Sequence, residues 1–166
     1  MDDSITVQTS VEEKSGRRSN PQELLEILHD TANRLQNNAK YKQCINVLRQ
    51  ALSLEIEVFG QDSITVKENA AKLIKMCNKL AVKMLKVGRF DDCMGFISDA
   101  LSLTGPTYLP SMTSLRIVTL NNASSCHRRL GDMNRALSYA QDALAVGLKG
   151  NNDDSLACSH LNICCV

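Results

Sequence analysis

The sequence contains no tryptophan, and aromatic residues of all kinds make up only 4% of it. Glycine is 8 and proline is 3 in 166 residues. Sandwiches and barrels must turn roughly every 8–12 residues, so such a shortage of turn-formers argues against an all-β fold. Excess charge of one sign is missing too: 19 Lys and Arg stand against 18 Asp and Glu, a formal net charge of +1. That balance gives no overall field to gather nucleic acid. No apolar run approaches the ~18 residues a membrane-spanning helix needs. The opening Met1-Asp2-Asp3-Ser4-Ile5-Thr6 has neither the basic nor the apolar part of a secretory segment. A C-terminal prenylation box would need Cys where Ile163 stands.

What is present is 43% hydrophobic residues in a chain long enough for one compact domain. Leu, Ala and Lys without breakers predict an all-α fold. The 7 cysteines are odd in number, which fits reduced thiols in a cytoplasmic protein better than a disulfide framework.

Residues 1–20 show no apolar periodicity and are expected to be a disordered leader, with Arg17-Arg18-Ser19 a minimal basophilic kinase triplet. Asn20-Pro21 is a helix start, Asn20 as cap and Pro21 in the first turn. Beyond it, apolar residues recur at helical spacing. Leu24, Leu28, Thr31 and Leu35 make a first face, and Tyr41, Cys44, Ile45, Leu48 and Leu52 a second. Ile74, Cys77, Leu80, Ala81 and Met84 make a third, and Phe90, Cys93, Ile97 and Leu101 a fourth. Leu115, Leu120, Ala123, His127 and Leu130 form a fifth, and Met133, Ala136, Leu137, Ala140 and Leu144 a sixth. A seventh helix opens after Leu156.

The helices come in pairs that echo one another. Ala39, Gly88 and Gly131 sit at equivalent turns, each followed two residues later by Tyr41, Phe90 or Met133 and then by a small residue, Cys44, Cys93 or Ala136. Each segment continues to Ala51-Leu52, Ala100-Leu101 or Ala143-Leu144. A further echo links Leu120-Asn121-Asn122 with Leu161-Asn162. A period of about 40–50 residues built from helix pairs predicts an α-solenoid.

At these residues the chain resembles the tetratricopeptide repeat family. The segment from Leu130-Gly131-Asp132 to Ala143-Leu144 is similar to the second half of a standard unit, and Ala51 to Gly60 resembles the longer variety found in kinesin light chains. The resemblance implies a solenoid of antiparallel helix pairs over residues 21–166, about three and a half repeats with the fourth cut short. It also implies a cytoplasmic role as a binding module, with a cytoskeletal association for the kinesin-like variety.

The most specific local feature is a ladder of lysines at 72, 75, 79, 83 and 86, within a stripe about 80° wide at about 100° per residue. The opposite side of that segment, Leu73, Cys77, Leu80, Ala81 and Met84, is apolar. The family resemblance places the first helix of each pair along a concave groove, and so puts Lys75, Asn78, Lys79 and Lys86 there, with Asn121, Asn122, Ser125 and Arg128 from the next unit. Lysines and asparagines in a groove would hold an acidic peptide by charge and by paired amide bonds. An ordinary solvated helix face has the same pattern.

Catalytic motifs are missing, with no phosphate-binding glycine loop, no nucleophile elbow and no His-Glu-x-x-His. Asp91-Asp92 and Asp153-Asp154 read as helix-start charges favoured by the dipole. Cys158, His160, Cys164 and Cys165 cluster locally, as do Cys126 and His127, but their spacing is not that of a zinc site. Cys44, Cys93, Cys164 and Cys165 stand where small side chains belong and are expected to be buried packing residues. The expectations are therefore no enzyme activity, no cofactor, no metal, no nucleic acid and no membrane span. The expected role is that of a scaffold or adaptor binding a partner peptide. The alternatives are a regulatory arm of a larger enzyme or motor, and a basic surface docking on an anionic membrane. Leu156, Leu161, Ile163 and Val166 would lack a covering helix, which predicts self-association at that edge.

Overall fold

The computed structural model describes residues 20–105, 112–149 and 153–165, the side chains of 153–158 excepted. The expected leader before Asn20, the kinase triplet, Cys158 and Leu156 lie outside the described residues and side chains. Among the described residues the protein is all-helical, without strands. It comprises α1 Pro21–Asn37, α2 Tyr41–Phe59, α3 Ile64–Lys86, α4 Phe90–Leu103, α5 Thr113–Arg129, α6 Met133–Lys149 and α7 Asp153–Cys164. No helix among them is long and apolar enough to cross a membrane.

The chain enters α1 as its sequence dictates. The Asn20 side chain accepts the backbone N–H of Gln22 at 3.2 Å, and Pro21 fills the first position, where its missing N–H costs nothing. Between the two helices of each hairpin the chain makes the same turn three times. Ala39, Gly88 and Gly131 have φ of 57°, 75° and 78°. After each, the next N–H reaches back five residues, Lys40 to Leu35 O at 2.9 Å, Arg89 to Met84 O at 2.9 Å and Asp132 to His127 O at 3.0 Å. The turn residue's own N–H reaches back three, to Gln36, Leu85 and Arg128. This pair of bonds satisfies carbonyls that a helix end would otherwise leave bare. Two of the turns use glycine, which enters the left-handed region freely; Ala39 does so against its Cβ.

The helices pack in neighbouring pairs, α1 with α2, α3 with α4, α5 with α6, and α7 on α6. In addition α3 packs against α5, and α5 against α7. The main core gathers Ile45, Leu52, Leu73, Ile74, Cys77, Phe96 and Ile97, and a smaller cluster joins Ile117, Leu120 and Ala143. Each aliphatic side chain withdrawn from water there contributes roughly 1.5–3 kcal/mol.

Three expected faces need correction. In α1 it is Leu25 and Ala32 that are buried, while Leu24 is 41% exposed. Adjacent leucines leave the phase of a short amphipathic helix ambiguous by one position. Leu130 and Met133 are exposed because they flank the Gly131 turn, where the chain leaves one helix before entering the next. Cys164 and Cys165 are exposed, unlike Cys44, Cys77, Cys93 and Cys126. α7 packs on α5 and α6 only, so its far side meets no helix among the described residues, and Leu161 there is 65% exposed.

Candidate binding site along α3 and α5

α3 carries two kinds of polar residue side by side. Lys72, Lys75, Lys79, Lys83 and Lys86 all point outward and are exposed. None makes an ion pair among the described residues; Lys72 donates to Asn69 Oδ1 at 3.5 Å, and Lys83 Nζ lies 5.9 Å from the centre of the Tyr41 ring. Asn78, one residue before Lys79, is buried at 6% exposure. Its Nδ2 donates to Thr119 Oγ1 at 2.9 Å, and its Oδ1 accepts Asn122 Nδ2 at 2.9 Å. The α3–α5 contact is thus fastened by amides that the interior requires to be paired.

The same fastening recurs one step along. Asn121 Nδ2 donates to Ser159 Oγ at 3.3 Å and Asn121 Oδ1 accepts Asn162 Nδ2 at 2.9 Å, joining α5 to α7. In both rungs an asparagine meets a hydroxyl and, three residues later, a second asparagine on the helix two places further along. Of the eight residues expected to face a ligand, Asn78, Asn121 and Asn122 therefore spend their amides between helices. Lys75, Lys79, Lys86 and Arg128 are exposed, and Ser125 is half-buried.

The first junction has no rung. Asn78 and Asn121 each lie ten residues before their turn glycine, and the residue ten before Ala39 is His29. Thr119 and Asn122 lie twelve and nine residues before Gly131; the matching residues before Gly88 are Met76 and Lys79. Neither can take part in an amide rung. His29 turns instead to α2, sharing a hydrogen bond of 2.9 Å with Glu55 Oε1, which also accepts Asn69 Nδ2 at 2.8 Å. Glu55 is buried at 3% exposure, and its Oε2 has no hydrogen-bond partner.

Where the rung is missing, a cleft of about 490 Å³ opens between α1, α2 and α3, with Leu48, Leu52, Leu73 and Met76 inside and Asn33, Lys72, Lys75 and Lys79 around it. A second cleft, about 530 Å³, lies between α3 and α5, where Val82 and Val118 are ringed by Lys79, Lys83 and Lys86. Lys79 borders both clefts. Asn121, Ser125 and Arg128 line neither cleft.

The buried thiols are held in an unreactive state. Burial pushes the thiols of Cys44 and Cys126 up, and those of Cys77 and Cys93 up to about 12. A thiol that stays protonated is a poor nucleophile and a poor metal ligand. Among the described residues no three His, Cys, Asp or Glu side chains converge as a metal site would require. His127 is buried, stacked on Tyr139 with ring centres 5.3 Å apart, and its Nδ1 lies 3.7 Å from Asp132 Oδ2. Asp91 and Asp92 do lie in the first turn of α4, but Asp92 is taken up by ion pairs: it binds Lys42 of α2 at 2.7 Å and also Arg89.

The His29–Glu55–Asn69 junction was hidden in the sequence, although a single acid beside Ala51, Leu52 and Ile56 on an otherwise apolar stripe of α2 is its trace. Comparison with protein-family models, curated proteins and solved structures returns no match for this chain.

Proposed function

We propose that this chain is a non-catalytic binding module. In this reading its helix pairs stack as an α-solenoid of the tetratricopeptide kind, and the α3 side captures an acidic segment of a partner protein. The observation that carries the reading is the row of exposed α3 lysines with no ion-pair partner among the described residues, bordering two clefts. Five like charges at spacings of three and four repel one another, which a chain selected only for stability would dilute with acids. An incoming segment with carboxylates would supply the missing partners, and the apolar residues within the clefts would add burial. A scaffold or adaptor in the cytoplasm is the role that fits such a module.

The test is a random peptide library displayed on phage and selected on the full chain, without bias in charge. Retained peptides should cross-link to photoreactive residues placed at Lys75 and Lys86, and not to one placed at Gln141 on α6. Retention of no peptide, or equal cross-linking at Gln141, overturns the reading. Vesicles of anionic lipid form the second arm: if they bind and peptides do not, the lysine row serves a membrane surface.

A further inference from the structure

A third cleft, which shares Lys83 alone with the α3–α5 cleft, lies at the turn end of the first two hairpins. It encloses about 640 Å³ between the Ala39 turn, the end of α3 and the start of α4. That is the size range of small-molecule sites, roughly 300–1,000 Å³. Its apolar surface comes from Tyr41, Met84, Val87 and Phe96, with Phe96 only 5% exposed. Around it stand Lys40, Lys42, Lys83 and Arg89, against a single carboxylate, Asp92. Asp92 occupies Lys42 and Arg89, leaving Lys40 and Lys83 without an ion pair among the described residues. The first turn of α2 contains no acidic residue, and its cap, Lys40, makes no side-chain capping bond.

We propose that this cleft binds a small organic phosphate monoester with an apolar body. Four cations against one carboxylate leave an excess of three positive charges around the rim. That excess suits a phosphate dianion, with its three acceptor oxygens, better than a single carboxylate. The aromatic and thioether surface takes the body of the ligand, which inorganic phosphate lacks. Charge and apolar contact must act together for selectivity, because neither lysines on a rim nor an open apolar surface is selective alone.

The probe is phenyl phosphate, titrated into the full chain and followed by NMR. The sequence has 3 tyrosines and 3 phenylalanines and no tryptophan, so the aromatic spectrum is sparse enough to read individual rings. The expected result is saturable shifts of the Tyr41 and Phe96 signals. Inorganic phosphate should bind at least about tenfold more weakly, a difference of about 1.4 kcal/mol. Benzyl alcohol, with the ring and no charge, should not saturate. Lys40→Glu and Lys83→Glu should each weaken phenyl phosphate about tenfold or more with an unchanged circular dichroism spectrum, while Lys149→Glu on α6 leaves the affinity as it was. Lys83 also borders the α3–α5 cleft and Lys40 does not, so loss in Lys40→Glu ties the effect to this site. Absence of saturable shifts, equal affinity for inorganic phosphate (an adventitious ion only), or wild-type affinity in both variants overturns the proposal.

Discussion

α3 packs on α5, whereas α1, which holds the equivalent place one hairpin earlier, packs on α2 and leaves a cleft toward α3, so the two places are built differently. In the later one, Asn78, Thr119 and Asn122 close an amide rung. In the earlier one the same three places hold His29, Met76 and Lys79, no rung forms, and a lysine-bordered cleft stands open. Lys79 stands where the next hairpin has a structural asparagine, and it is exposed where Asn122 is tied to Asn78.

The sharpest way to break the contrast is to remove a rung. Asn78→Ala leaves Asn122 with a donor and no acceptor in a largely buried setting, while Thr119 keeps its bond to Leu115 O at 2.8 Å. The expected loss is about 2–3 kcal/mol, seen as a lower urea midpoint at unchanged m-value. An unshifted midpoint would show that the rung contributes nothing. The second rung is less enclosed, since Asn121 and Asn162 are both half-buried. Asn162→Ala should cost less, about 1 kcal/mol by the same measurement.

The unfastened side predicts the opposite sign. Lys79 has Lys75 and Lys83 four residues away on either side. Lys79→Glu turns two repulsive spacings into attractive ones, each worth roughly 0.2–0.5 kcal/mol. The variant should be more stable by about 0.5–1 kcal/mol in low salt, with the gain shrinking as salt is added. On the function proposed above, it should also retain fewer acidic peptides than the parent. A variant that is less stable than the parent would mean that Lys79 has a structural partner after all.

The two junctions also show how far the sequence could be read. Helical spacing and the recurrence at Ala39, Gly88 and Gly131 made the hairpins legible, because turn chemistry is local and the left-handed residue is needed at each repeat. The lysine row was legible for the same reason: a stripe is a property of one helix. Asn78 was not separable from Lys79, because consecutive residues are only about 100° apart and both border the apolar face. Which one turns inward is decided by Thr119 and Asn122, on another helix more than forty residues away. The burial of Glu55 was hidden likewise, since its partners His29 and Asn69 come from two other helices.

The smallest effect concerns charges that the fold does spend. α4 offers two aspartates to α2: Asp92 meets Lys42 at 2.7 Å, and Asp99 meets Arg49 at 2.8 Å. They respond to acid in opposite ways. The hydrogen bond from Lys42, with Arg89 second, holds the Asp92 carboxyl below its ordinary 3.8. A carboxyl lowered in the folded state gives stability above its ordinary value and loses it as pH falls through the folded value. Burial raises Asp99 above 3.8 despite Arg49, so the folded state binds that proton more tightly than the unfolded chain does. Protonating Asp99 therefore recovers stability as pH falls from neutral toward 3.8. Asp99→Asn should remove that recovery, steepening the loss of stability as pH falls toward 3.8, whereas Asp92→Asn should flatten the loss below 3.8. Thermal unfolding of the two variants against the parent from pH 7 to pH 3 separates them. Parallel profiles for all three proteins would show that neither pair is coupled to folding, so that the polar fastening between helix pairs would rest on uncharged amide rungs and on the Glu55–Asn69 contact.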